Sequence, residues 1–170
     1  MLFRSLLFEH VWRVRPEFVA GDAEAADLGA ATGAPAARLV IGDAALMLAS
    51  GALKSPYAFH YDLGAEWKAW TGLPFVFAVW VANRETAAPD ALRVHAALIE
   101  SRNWGLAHLD QLAADAARRT GVSSTTCAEY FAGLDYGLSY PHLGGLTEFY
   151  RRLTVAGHVS PGRLAFLSAA

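Results

Sequence analysis

From Pro74 to Ala82 both alternating sets of side chains are apolar: Phe75, Phe77, Val79 and Val81 on one, Val76, Ala78, Trp80 and Ala82 on the other. Successive side chains of a strand point to opposite faces. A strand shielded on both faces sits in the middle of a sheet covered by helices, most often a parallel one. The residues before it carry helix punctuation. Asp62 is placed to accept from the unpaired N–H groups of a first turn near Ala65. Trp67 and Trp70 fall on one helical face. Gly72 suits the left-handed residue that closes such a helix.

Two further strands are expected, Ala37 to Ile41 and Tyr57 to Tyr61, with Gly42-Asp43 turning the first into a helix over Ala44 to Ala49. Residues 2–12 read as a helix that Arg15-Pro16 must end. Asp22 to Ala31 is helical by propensity and is closed by Gly33 and Pro35. After Asn83 the pattern becomes helical. Pro89 to Arg119 reads as one long helix or a pair, Gly121 ends it, Ser123-Ser124 restart a helix to about Phe131, and Leu143 to Leu153 forms the last, with Gly157 beyond. The expected fold class is α/β: a parallel or mixed sheet flanked by helices, with a helical C-terminal half. The expected domains are residues 1–82, an α/β lobe and a strand returning to the hinge, and 83–170, a helical part packing on a first lobe that is largely missing.

The 170 residues suit one domain with a real core and are short for two. A net charge of −2, with the arginine pairs 118–119 and 151–152 isolated at expected helix ends, leaves no electrostatic footprint for nucleic acid. No apolar run reaches the length of roughly 18–20 residues that spans a bilayer. Met1 to His10 lacks the length and cleavage site of a signal peptide. Cys127 is the only cysteine, so no internal disulfide forms and a reducing, cytoplasmic setting is expected.

Familiar catalytic patterns are missing. The six histidines, at 10, 60, 95, 108, 142 and 158, show no metal-ligand spacing, and there is neither a nucleophile elbow nor a phosphate loop. Four positions bear two readings each. Gly42-Asp43 follows a strand and opens a helix, so Asp43 is either an N-cap or a residue lining a crevice that binds a small anion. Thr71-Gly72 is either a helix stop or a place where a hydroxyl and backbone N–H groups face a carboxylate. Trp67 and Trp70 are core or a stacking platform. Asn103 is buried with a partner or simply exposed.

Three blocks of the first half, Arg38-Leu39-Val40-Ile41-Gly42-Asp43-Ala44-Ala45-Leu46, Tyr61-Asp62-Leu63-Gly64 with Trp67, and Trp70-Thr71-Gly72-Leu73-Pro74-Phe75-Val76-Phe77-Ala78-Val79-Trp80, resemble the chorismate dehydratase family of the futalosine route to menaquinone. Gly105 to Asp110, Glu129-Tyr130-Phe131 and Leu146 to Arg151 extend the resemblance into the second half. It implies a type II periplasmic-binding-protein fold with the ligand between two lobes. The implied reaction, a hydro-lyase one, removes water from chorismate to give 3-[(1-carboxyvinyl)oxy]benzoate, with no metal or organic cofactor.

Family members carry much of a first lobe, with the polar residues credited with catalysis, before the segment that Met1 to His10 resembles. No catalytic residue therefore carries over. Gly42, Asp43, Thr71 and Gly72 carry over as substrate-binding positions on the cleft side. The chain is expected to be an N-terminally truncated form with little or no activity alone, forming one wall of a pocket. Its uncovered apolar surface is expected to invite self-association. Two alternatives stay open: a non-catalytic module binding small anions or solutes, and the sister 1,4-dihydroxy-6-naphthoate synthase.

Overall fold

The computed structural model describes residues 2–28, 36–162 and 164–166. It contains α1 (Leu2–His10), α2 (Gly42–Ala49), α3 (Leu63–Thr71), α4 (Ala88–Ala107), α5 (Leu109–Thr120), α6 (Ser124–Gly133) and α7 (Tyr140–Val155). The chain divides into two compact units. One comprises residues 1–18, 61–96 and 137–170; the other comprises 19–60 and 97–136.

The expected α/β class is overturned, because no strand or sheet forms among the described residues. Residues 37–41, 57–61 and 74–82 are not paired with one another, and residues 37–82 build no layered sheet. The type II periplasmic-binding-protein fold and its two-walled pocket fall with it. The reason is physical. A strand becomes one only when neighbours accept its N–H and C=O groups. Among the described residues, 74–82 make no backbone–backbone hydrogen bond, and 37–41 make a single one outside α2, from Ile41 N–H to the Ala23 carbonyl at 2.9 Å. Apolarity on both faces implies shielding on both faces, yet Phe77, Trp80 and Val81 are 74%, 82% and 85% exposed. The helix expected over Asp22 to Ala31 is also not seen: Asp22 to Leu28 is irregular, and residues 29–31, with Gly33 and Pro35, lie outside the described residues.

The first unit is organised by α1, α3 and α7, α1 touching both of the others. Its centre is aromatic. Trp67 is fully buried and meets Phe3, Trp70, Phe75 and Phe149 edge-on, with ring centroids 5.6–6.1 Å apart. Phe3 stacks on Phe75 at 3.6 Å. Edge-to-face pairs of this kind add about 0.5–1.5 kcal/mol each beyond area burial. Glycines let α7 and α3 approach their neighbours: a Cβ on Gly145 would overlap the carbonyl oxygen of Pro74, and one on Gly64 would lie 2.9 Å from the Phe77 ring.

In the second unit α5 packs on α6. Ala113, Val122 and Cys127 form the buried centre, with Leu46, Met47 and Phe131 against it. The expected long helix or pair is a pair, broken at His108. That ring's Nδ1 lies 2.7 Å from the Trp104 carbonyl while the ring stacks on Trp104 at 4.2 Å.

One ion cluster makes the first unit sensitive to acid. Glu148 receives Arg151 Nε and Nη2 at 2.6 and 2.7 Å and Arg152 Nε at 2.7 Å. The Arg151 hydrogen bond, opposed by burial and helped by the Arg152 charge, holds its carboxyl below the usual carboxylate value. A carboxyl depressed in the folded state stabilises it above the unfolded pKa, and that contribution fades as pH falls through the depressed value. Wild type and Glu148→Gln should therefore differ in melting temperature at neutral pH and converge in acid. A difference that grows on acidification would contradict this.

Candidate functional site

The expected site residues divide between the two units: Thr71 and Gly72 belong to the first, Gly42 and Asp43 to the second.

Thr71 and Gly72 close α3. The helix opens as expected, with Asp62 Oδ1 accepting from Ala65 N–H at 2.9 Å. It closes on Gly72 at φ 74°, whose N–H donates to the Lys68 carbonyl. The Thr71 hydroxyl donates to the Trp67 carbonyl at 2.8 Å and accepts from Leu73 N–H at 3.2 Å. The same device ends α5 in the other unit. Thr120 Oγ1 donates to the Ala116 carbonyl at 2.8 Å and accepts from Val122 N–H at 3.2 Å, and Gly121 sits at φ 73°. A threonine, a left-handed glycine and an aliphatic residue thus form a helix stop used twice. Its sequence signal is the recurrence of Thr-Gly-Leu as Thr-Gly-Val. The Thr71 hydroxyl is committed to its own backbone in both directions.

Trp70, half-buried beside this stop, has polar company. The Arg152 guanidinium lies 3.8 Å from its ring centroid, and His10 stacks on it at 5.5 Å and 18°. In the sequence Arg151-Arg152 reads only as a pair of helix-end charges. The spacing from Glu148 to Arg152 is the available signal, since residues four apart meet on a helix. Arg152 is already paired with Glu148, so its charge is largely spent within the unit. Trp67, by contrast, is core, and its Nε1 donor is buried with no hydrogen-bond partner among the described residues.

Gly42 opens α2 at φ 63°. That left-handed conformation disfavours a side chain. Ile41, not Asp43, holds the N-cap position, and no side chain among the described residues caps the helix. Asp43 instead lies in the first turn, where its charge complements the helix dipole. One carboxylate oxygen is 3.7 Å from Arg119 Nη2, both side chains being mainly exposed. Such surface pairs contribute about 0–1 kcal/mol. α2 thus begins with N–H groups that no side chain among the described residues accepts from, beside a cation and an anion.

The remaining candidates have structural roles. Asn103 is exposed, its Oδ1 accepting from Arg102 Nε and Nη2 at 3.2 and 2.9 Å. Cys127 is fully buried in the second unit's core. His142 Nδ1 accepts from Ser139 N–H at 3.3 Å at the start of α7. No group of metal-ligating side chains converges among the described residues. Two open hollows, of about 380 and 400 Å³, run along residues 106–111 and between 26–28 and 53–56, and both lie in the second unit. No helix among the described residues is long and apolar enough to cross a membrane.

Comparison with known proteins adds what the geometry does not. The chain is 41% identical over 92 residues to a chorismate dehydratase of Thermus thermophilus, a stretch covering 54% of this chain and 33% of that protein. The match therefore spans about a third of the relative's length. Residues 1–154 match the protein family described as menaquinone biosynthesis. On that match the chain belongs to the menaquinone biosynthesis family.

Proposed function

We propose that this chain serves in chorismate dehydration, the conversion of chorismate to 3-[(1-carboxyvinyl)oxy]benzoate and water, in the cytoplasm. The observation that carries the reading is the 41% identity to a protein named chorismate dehydratase, within a family match over residues 1–154. Loss of a hydroxyl and a ring proton makes the ring aromatic, so the reaction needs a held dicarboxylate, a proton acceptor and a proton donor.

In this reading Gly42, Asp43, Thr71 and Gly72 are substrate-side positions, supported by the motif they occupy. The two pairs differ in what they can offer an anion. Gly72 N–H and the Thr71 hydroxyl already have backbone partners. The uncapped start of α2 has N–H groups to give, and Arg119 is near. The Asp43 carboxylate would repel a dicarboxylate, so at that end the N–H groups and Arg119 attract the substrate.

Catalysis requires groups that converge in fixed positions around the reacting atoms. Gly42, Asp43 and Gly72 are exposed and Thr71 is only half-buried, so this chain alone is expected to bind chorismate and turn it over slowly or not at all. Two measurements test this. Chorismate should raise the melting temperature, by the equivalent of about 2.7 kcal/mol at one hundred times its dissociation constant, while amino acids and futalosine-derived compounds should not. Product formation by the purified chain should fall far below that of the Thermus protein. No thermal shift with chorismate would end the reading, and a shift with a futalosine-derived compound alone would favour the naphthoate synthase.

A further inference from the structure

α4 stops at Ala107 and α5 starts at Leu109, with His108 alone between them. Sharp breaks in a helix come from proline, from small residues, from a widened turn, or from a side chain inserted into the hydrogen-bond ladder. From Trp104 to Leu112 there is no proline. Gly105 lies inside α4 and is not one of the glycines at positive φ. Packing does not impose the break either, since none of residues 97–107 is buried. The last cause is present. In an unbroken helix the Trp104 carbonyl would accept from His108 N–H. Here it lies 2.7 Å from His108 Nδ1, and the N–H turns to the Gly105 carbonyl at 3.0 Å, three residues back instead of four. A carbonyl only accepts, so Nδ1 carries the proton and donates it.

We propose that His108 is a conformational latch: its imidazole, seated on the Trp104 carbonyl, keeps α4 and α5 apart, and its release lets them join into a single helix from Ala88 to Thr120. The local sequence favours joining. Leu106, Ala107, Leu109, Gln111 and Leu112 are all strong helix formers. In the broken form α5 restarts with Leu112 N–H on the His108 carbonyl at 3.1 Å, and no side chain among the described residues caps it. The first-turn N–H groups of Leu109, Asp110 and Gln111 therefore lack helical acceptors. Joining would give them the carbonyls of Gly105, Leu106 and Ala107.

Three features oppose joining. The Nδ1 bond is one, and the stacking of the ring on Trp104, 4.2 Å away at 14°, is the second. The third is Asp110, whose charge complements an α5 N-terminus that exists only in the broken form. Two arrangements of one segment that exchange a few local bonds have the makings of a switch. The His108 side chain is exposed, so the latch is open to solvent. This inference does not depend on the proposed function and is tested without substrate.

Amide hydrogen exchange of the purified chain, resolved by residue with NMR, reads the two forms directly. In the wild type the amides of Leu109, Asp110 and Gln111 should exchange fast, and the ring nitrogen shifts of His108 should show the proton on Nδ1. His108→Leu keeps the bulk and cannot donate. It should slow exchange at those three amides by at least about 10-fold, while α6 keeps its protection. His108→Ala should do the same and serves as the second reading if leucine disturbs the fold. Trp104→Ala removes the stack but not the carbonyl, and should slow the same amides less. Fast exchange at 109–111 in both folded histidine variants, or a wild-type ring with its proton on Nε2 alone, would overturn the proposal. Loss of α6 protection in both variants would overturn it too, because the ring would then serve packing and not the break.

Discussion

Gly145→Ala is expected to destabilise the first unit by about 3 kcal/mol or more, at the upper end of what overpacking costs. Gly144→Ala, one residue earlier in the same helix, is expected to stabilise it by roughly 0.5–1 kcal/mol. Both glycines sit in the interior of α7, where alanine is the better helix former. What separates them is the neighbour. A methyl group at 144 would rest 3.7 Å from the Leu73 side chain, an ordinary contact. At 145 it would overlap the Pro74 carbonyl, a backbone group that cannot rotate aside. Urea denaturation followed by circular dichroism distinguishes the two. Equal effects at both positions would mean that α7 does not approach the 73–74 backbone as closely as described.

Trp67→Ala should lose about 3–5 kcal/mol, the range for deleting a fully buried large aromatic. That is a large part of the roughly 5–15 kcal/mol by which domains are stable. Trp67 is the largest fully buried side chain among the described residues and touches four other aromatic rings. Trp67→Phe should lose less than about 2 kcal/mol, because it leaves a smaller void. It also removes a buried donor that lacks a partner among the described residues. Desolvating such a donor costs about 1–3 kcal/mol. Thermal melts of the three proteins test the order. A phenylalanine variant as unstable as the alanine variant would show that Nε1 has a partner, or that shape alone decides the site.

The helices are legible in the sequence where their signals are local. Asp62 caps α3, Gly72 and Gly121 close α3 and α5 in left-handed conformations, and Ser123 caps α6 by accepting from Thr126 N–H at 3.1 Å. Each needs only three or four neighbouring residues. The start of α7 lies earlier than the apolar pattern indicates, at Tyr140. Ser139 and His142 pair there in a box whose second member is not the usual glutamate or glutamine. The strands fail for the opposite reason. The composition of residues 74–82 describes a requirement for neighbours on both sides, and no local rule supplies them.

The site is less legible than the fold. The sequence favours Asp43 as a cap, but the turn places Ile41 there and leaves Asp43 to Arg119, a partner in α5 that no spacing rule reaches. Thr71 resembles a ligand-facing hydroxyl until its two backbone bonds are seen. The family is readable because whole blocks of residues carry it, even though no individual residue reveals its role.

The division of the chain into interleaved units bears on how it is made. The first unit takes residues from both ends of the chain, with the whole of the second between them. A ribosome adding about 5–20 residues per second delivers Phe149 on the order of ten seconds after Trp67. For most of that interval Phe3, Trp67 and Phe75 have been made without α7 to cover them. The second unit, its last segment ending at 136, can close first. The nascent chain therefore passes through a stage with one finished unit and one bare aromatic cluster, the form on which a chaperone would act.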